Sequence, residues 1–150
     1  MAVEFRNGAW MREPADREKT LAFLREHRIP YVCVDEPQGF KSSVPPVLAA
    51  TSPVALLRMH GHNGEMWTKK ATTAAERFDY LYSAEELRQW VPSIRGLAEE
   101  ASEVHVLMNN CHRDYSVRNA RQIGEMLGVL GPEGPRTVGA RPEAEQGTLI

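Results

Sequence analysis

The strongest constraint on the fold is an alternation of short strand-like runs with helix-like segments. Strand-like runs, rich in apolar and β-branched residues, occupy residues 2–6, 31–34, 54–59 and 104–108. Segments with apolar residues at helical spacing occupy residues 17–27, 83–101 and 116–130, and Pro92 is predicted to kink or split the second of them. This alternation is typical of a parallel sheet covered by helices, so the sequence predicts an α/β fold with about four parallel strands.

Each predicted strand has one face that turns polar towards its C-terminal end. Side chains alternate along a strand, so Arg58 and His60 share a face opposite Leu57 and Met59. The carboxyl ends of parallel strands meet at one edge, where α/β proteins place their chemistry. The alternative is a structural network of ion pairs that fills a barrel interior, because buried charges must be paired. The polar side chains predicted to meet there are Glu4, Arg6, Asp35, Arg58, His60 and Asn109.

Composition narrows the class of protein. The chain has 150 residues, with 18 Lys and Arg against 20 Asp and Glu, for a net charge of −2. That balance is ordinary for a globular protein and argues against a strongly basic nucleic-acid binder. No apolar run approaches the roughly 20 residues of a membrane span, and Glu4 interrupts any secretory signal. We therefore expect a cytoplasmic protein that does not cross a membrane.

Five segments carry a resemblance to a known family. They are VEFRNGAW, YVCVDEP, LLRMHGH, ERFDYLYSAEEL and VLMNN followed by RNA. In this order they resemble the C-terminal half of the YecE-like family, also called domain of unknown function 72, over residues 2–130. The resemblance implies a (β/α) barrel of the TIM type, akin in fold to endonuclease IV and xylose isomerase. It implies no established activity.

The length of the chain bears on that barrel. A complete TIM barrel takes about 200–250 residues, so residues 1–130 are predicted to form a TIM-barrel-like half-barrel. Residues 131–150, rich in Gly and Pro, are predicted to be a disordered tail. Four strands cannot close a barrel and leave sheet edges open. We therefore expect a homodimer, or pairing with a polypeptide that supplies an N-terminal half-barrel.

The residue types at the strand ends favour an anion- or phosphate-binding site. Arginine binds phosphate and carboxylate bidentately, and a nearby carboxylate such as Asp35 or Glu36 can act as a general base. The long polar segment 61–82 is of the kind that closes over a ligand. Whether the site is that of an enzyme, and with which cofactor, is left open. The predicted catalytic residues are Asp35, Glu36 and His60, and the predicted ligand-binding residues are Glu4, Arg6, Arg58, Arg77, Asn109 and Asn110.

Two other functions use overlapping residues. A metal-dependent phosphodiester hydrolase would draw its ligands from Glu4, Asp35, Glu36, His60 and His62, although Arg6 and Arg58 on the same face disfavour a cation. A nucleic-acid-binding module without catalysis would stack bases on Trp67, Phe78, Tyr80 and Tyr82 beside Lys69, Lys70 and Arg77. The net charge of −2 disfavours that module, and these aromatic residues can equally anchor the loop.

Overall fold

A computed structural model describes residues 1–69, 73–131 and 134–135. The fold is α/β, with a parallel three-stranded sheet, a small antiparallel pair and five helices in these residues. The strands are β1 (Val32–Asp35), β2 (Val54–Met59), β3 (Glu103–Met108), β4 (Leu130–Gly131) and β5 (Gly134–Pro135). The helices are α1 (Pro14–Glu26), α2 (Gly64–Trp67), α3 (Ala74–Arg77), α4 (Ala84–Glu100) and α5 (Tyr115–Leu127).

The parallel sheet has the order β1–β2–β3, with β2 in the centre. Asp35 lies opposite Met59, and Met59 lies opposite Met108, so the three strands end level with one another. The residues that follow each strand therefore meet at one edge of the sheet. Three of the predicted strands are confirmed to within one residue at each end.

The prediction of a fourth strand at residues 2–6 is wrong. Only Val3 pairs, through a single parallel bridge to Tyr31. Beyond Val3 the chain turns away from β1, because the Asn7 side chain caps a 3-10 turn at residues 8–10 and the Gly8 N–H donates to the Ser42 carbonyl at 3.0 Å. The segment still delivers Glu4 and Arg6 to the edge of the sheet, but as irregular backbone.

The three long helices differ from expectation at their ends. α4 begins with a capping box formed by Ser83 and Glu86, and it continues as one helix through the exposed Pro92. The loss of one hydrogen bond at Pro92 does not split α4, because Leu87, Ile94 and Leu97 are buried before and after it. α5 ends three residues before the predicted end, since Gly128 takes a left-handed conformation with φ of 79°.

The core lies on one face of the sheet. Leu57 and Met59 are fully buried there with residues of α4 and α5, while Leu56 and Arg58 on the opposite face are half-buried. This confirms the predicted assignment of faces. On β3 the side chains of Glu103, His105 and Leu107 are exposed, and those of Val104, Val106 and Met108 are half-buried.

The polar segment 61–82 is partly helical, since it contains α2 and α3, each one turn long. Residues 70–72 and most of the predicted tail at 131–150 lie outside the described residues. In the part of the chain that the structure describes, no helix is both long and apolar enough to cross a bilayer.

Candidate functional site

Four of the predicted site residues form one closed network of hydrogen bonds at the carboxyl edge of the sheet, which we call the Glu4 network. Arg58 donates through Nη1 to Glu4 Oε2 at 2.7 Å and through Nη2 to Asn109 Oδ1 at 2.7 Å. His60 closes the circuit, with Nδ1 at 3.0 Å from Asn109 Nδ2 and Nε2 at 3.3 Å from Glu4 Oε1. Sequence analysis correctly predicted that these four side chains would meet.

The Glu4 network admits one arrangement of protons. Arg58 can only donate, so the Asn109 oxygen must accept from it and the Asn109 amide N–H then points at His60 Nδ1. Nδ1 must therefore accept, which places the ring proton on Nε2, where it is donated to Glu4. Each of the four contacts then pairs a donor with an acceptor, so the circuit favours one mutual arrangement of these side chains.

Arg6 joins this network from the outside. Its Nη1 donates to Glu4 Oε1 at 2.6 Å, so two guanidinium groups share one carboxylate. The side chain of Glu4 is 15% exposed, against 54% for Arg6 and 36% for Arg58. Burial raises the pKa of Glu4, but the hydrogen bonds from its three donors outweigh burial and hold its pKa well below the usual range. Glu4 is therefore ionised, and the two arginines leave one positive charge in excess at the surface.

A second group of side chains, which we call the Asp35 cluster, lies beside the first. Asp35 accepts from His62 Nε2 at 2.9 and 3.0 Å and from the Tyr82 hydroxyl at 2.6 Å. The Tyr82 hydroxyl in turn accepts from the Gly61 N–H at 2.7 Å. His62 Nδ1 lies 3.6 Å from Glu86, which also accepts from the Tyr80 hydroxyl. The cluster therefore ties β1 to segment 61–82 and to the start of α4.

The pKa values of His62 and Tyr82 are both raised in the Asp35 cluster. The hydrogen bond to Asp35 raises the pKa of His62, with a smaller contribution from Glu86, and burial opposes the shift. Burial raises the pKa of Tyr82 strongly, and the adjacent Asp35 carboxylate adds to the effect. His62 is consequently stabilised as a cation between two carboxylates.

Aromatic side chains from segment 61–82 cover His60. The Phe78 ring stacks on His60 with centroids 5.5 Å apart, and Trp67 meets it edge-on at 6.0 Å. Together they leave the His60 side chain without exposed surface. The next residue, Gly61, permits the close approach of Tyr80, because its φ of +86° is left-handed and a Cβ there would lie 2.5 Å from the Cβ of Tyr80.

Two further predicted site residues are buried and bonded to backbone. Glu36 is 3% exposed and accepts from the Val44 N–H at 2.7 Å, and burial raises the pKa of its carboxyl despite that bond. Asn110 is fully buried and donates to the Tyr80 carbonyl and to Asn119 Oδ1. The contacts of both residues position the loops around the site.

Among the described residues, Arg77 joins neither the Glu4 network nor the Asp35 cluster, and it donates to the Lys69 carbonyl at 3.4 Å.

The residues proposed as metal ligands, such as Glu4, Asp35 and His60, are hydrogen-bonded to one another and to arginine, tyrosine and asparagine. Over the described ranges, no group of three or more His, Cys, Asp or Glu side chains is arranged to hold a metal ion.

The sequence suggested His62 and Asp35 as metal ligands and Tyr82 as a base-stacking residue, but it did not predict the hydrogen bonds that join His62 and Tyr82 to Asp35. The available signal was the His-Gly-His sequence at residues 60–62, where one glycine lets two histidines diverge into different networks. Asn119, which is not among the predicted site residues, has a fully buried amide that accepts from the N–H of Tyr82 and donates to its carbonyl.

Comparison with known proteins identifies relatives of about twice the length. The family model described as "Protein of unknown function DUF72" matches residues 1–143. The UPF0759 protein YunF of Bacillus subtilis (strain 168) is 37% identical over 133 residues, with coverage of 85% of this chain and 46% of that protein.

Two solved structures of DUF72 family proteins are also similar. The protein from Thermotoga maritima MSB8 has a TM-score of 0.74 and 37% identity, covering 85% of this chain and 45% of its own. The protein from Enterococcus faecalis V583 has a TM-score of 0.78 and 29% identity, covering 92% of this chain and 51% of its own. The chain thus spans about half the length of the relatives it matches.

Proposed function

The chain belongs to the DUF72 family, a family of unknown function, and on that premise we propose that it binds a small phosphate-containing or other anionic ligand. The ligand would contact the guanidinium groups of Arg6 and Arg58 above Glu4. The observation that carries the proposal is the sharing of one half-buried carboxylate by two more exposed guanidinium groups.

Geometry and charge both support an anion at this position. Glu4 and Asn109 fix the orientation of Arg58, so a ligand would not have to order that side chain. Within the described part of the chain, the Nη1 atom of Arg6 donates a hydrogen bond to Glu4. More than half of the Arg6 side chain is exposed to solvent, where a ligand can reach it. Guanidinium groups of this kind bind phosphate through paired, charge-assisted hydrogen bonds.

His60 has a positioning role in this proposal. Its Nε2–H donates to Glu4, and its ring lies beneath Phe78 and Trp67, away from solvent. It would hold Glu4, and through it the arginines, while Phe78 and Trp67 keep water from the His60 ring. Asp35 and Glu36 remain the candidate general bases should the bound ligand react.

We also propose that the sheet is one half of a TIM-type barrel whose other strands are not among these 150 residues. One support is that the chain matches only about half the length of each relative. The other is the outer edge of β3, which pairs with no strand among the described residues. Leu107 is exposed on that strand. The other strands come either from a second copy of this chain or from the half of the family's length that this chain does not span.

The anion site is tested by titrating the purified protein with inorganic phosphate and pyrophosphate in a calorimeter. Arg6→Gln removes one exposed guanidinium and should weaken binding about tenfold or more, because a hydrogen bond to a charged group contributes about 1.5–3 kcal/mol. Arg121→Gln is the matched control, since Arg121 is 77% exposed on α5. Equal affinity in the two variants, or no binding by the unmodified protein, would overturn the proposal.

The half-barrel is tested by sedimentation equilibrium together with circular dichroism. The proposal expects a dimer, or a monomer that becomes stable only with a second chain. A folded monomer with cooperative unfolding at micromolar concentration would contradict it.

A further inference from the structure

A second basic cavity lies apart from the Glu4 network, between the 3-10 turn at residues 8–10 and the loop that follows β1. It consists of two adjoining depressions of about 340 and 420 Å³, which share Arg12, Phe40 and Lys41 as lining residues. Volumes of this size suit a small organic ligand. Thr68, just after α2, lines the larger depression, so the cavity opens beside the carboxyl ends of the strands.

The charged side chains that line this cavity are positive. Arg12 and Lys41 are cationic, and no Asp or Glu is among the described residues that line it. Neither cation lies within ion-pair distance of a carboxylate in the described part of the chain, whereas Arg6, Arg58 and Lys69 all do. Two unpaired cations at one concave surface attract an anion.

The guanidinium of Arg12 is fixed before any ligand arrives. Its Nη2 donates to the Lys41 carbonyl at 2.8 Å and to the Ser43 carbonyl at 3.4 Å. Gly8 makes room for it, because a Cβ at Gly8 would lie 2.7 Å from Arg12 Nη2 and 2.1 Å from the Ser43 oxygen. The loop itself is held by Ser43, whose hydroxyl donates to the Pro37 carbonyl at 2.7 Å.

Phe40 adds an apolar surface to both depressions. Its side chain is half-buried, and Phe40 directly precedes Lys41 in the loop. A ligand that combines a phosphate with an aromatic or other flat apolar group would match this lining better than phosphate alone.

From these observations we propose that the cavity of Arg12, Phe40 and Lys41 is a second ligand site, specific for an organic phosphate monoester. The phosphate contacts Arg12 and Lys41, and the organic group lies against Phe40. The cavity shares no lining residue with the Glu4 network, so each site can be tested separately.

The test uses phenyl phosphate, inorganic phosphate and benzoate as probes in calorimetric titrations of the full Arg6→Gln chain, in which the first site is weakened. Phenyl phosphate should bind about tenfold more tightly than inorganic phosphate, since one ring face is buried. It should also bind more tightly than benzoate, whose single negative charge interacts less strongly with two cations. Equal affinity for all three probes would overturn the proposal.

Three variants separate the contributions to this site. Lys41→Gln should weaken the binding of phenyl phosphate and of inorganic phosphate by the same factor, about tenfold. Because the Lys41 side chain is exposed, the substitution should leave the fold intact. Phe40→Ala should abolish the preference for phenyl phosphate and leave the affinity for inorganic phosphate unchanged. Arg12→Gln should eliminate binding of both. Binding of phenyl phosphate that none of these substitutions changes would overturn the proposal.

Discussion

Asn119 offers the sharpest test of how the site is held in place. Its fully buried amide makes four hydrogen bonds: it accepts from the Tyr82 N–H at 3.1 Å and from Asn110 at 2.7 Å, and it donates to the Tyr82 carbonyl and to Gln122 at 2.9 Å each. Asn119→Ala leaves three of these partners, on Tyr82 and Asn110, buried and without their bond. At about 1–1.5 kcal/mol for each, the expected loss is roughly 3–5 kcal/mol.

That loss is a large part of the 5–15 kcal/mol by which a domain is typically stable. It is measured by urea unfolding followed by circular dichroism, at one protein concentration for all variants. Gln122→Ala is the matched control, because it removes a single hydrogen bond from Asn119 and should cost about 1 kcal/mol. The reasoning is refuted if Asn119→Ala costs no more than Gln122→Ala.

Three further substitutions have defined outcomes. Gly61→Ala should destabilise by about 1–3 kcal/mol in urea unfolding, since it forces a left-handed backbone on alanine and pushes a Cβ against Tyr80; an unchanged midpoint would contradict this. Tyr31→Phe should leave stability unchanged or raise it by up to about 2 kcal/mol, because the buried Tyr31 hydroxyl has no hydrogen-bond partner among the described residues; a clear loss would show a missed partner. The hydrogen bond to Asp35 raises the pKa of His62, so this interaction stabilises the fold at pH values below about 6.5 and is lost as pH rises through the folded pKa. The stability gap between wild type and His62→Gln should therefore be widest near pH 5–6 and close at alkaline pH, and a gap that widens with pH would refute this assignment.

The sheet and the positions of Arg58, His60 and Asn109 follow from periodicity alone. Leu57 and Met59 alternate with Arg58 and His60, and a period of two separates a buried face from a polar one whatever the rest of the chain does. Parallel strands that end level then bring Asn109 to the same edge. These inferences needed only the strand positions and the direction of the chain.

The Asp35 cluster could not be predicted in the same way. Tyr82 lies 47 residues after Asp35, at the end of a segment whose path is set by two one-turn helices and by packing on His60. No periodic pattern specifies such a path, because tertiary contacts outweigh the weak propensities of short segments.

The first predicted strand failed for a related reason. Residues 2–6 have strand-like composition, but β-propensity is weak and depends on context. The cap at Asn7 and the hydrogen bond from Gly8 to Ser42 draw the chain away from β1 after one bridge. The structure of residues 2–6 is therefore determined by contacts of the residues that follow them in the chain.

The central claim, that Arg6 and Arg58 bind an anion together, is tested most directly by the side-chain Nε–H signals of arginine in ¹⁵N NMR spectra. On titration with phosphate, the signals of Arg6 and Arg58 should shift in a saturable manner with one common dissociation constant. Arg88 and Arg121, which are paired on exposed helix surfaces, should not. Signals of Arg6 and Arg58 that stay in place, or a uniform drift of all arginines without saturation, would contradict the claim.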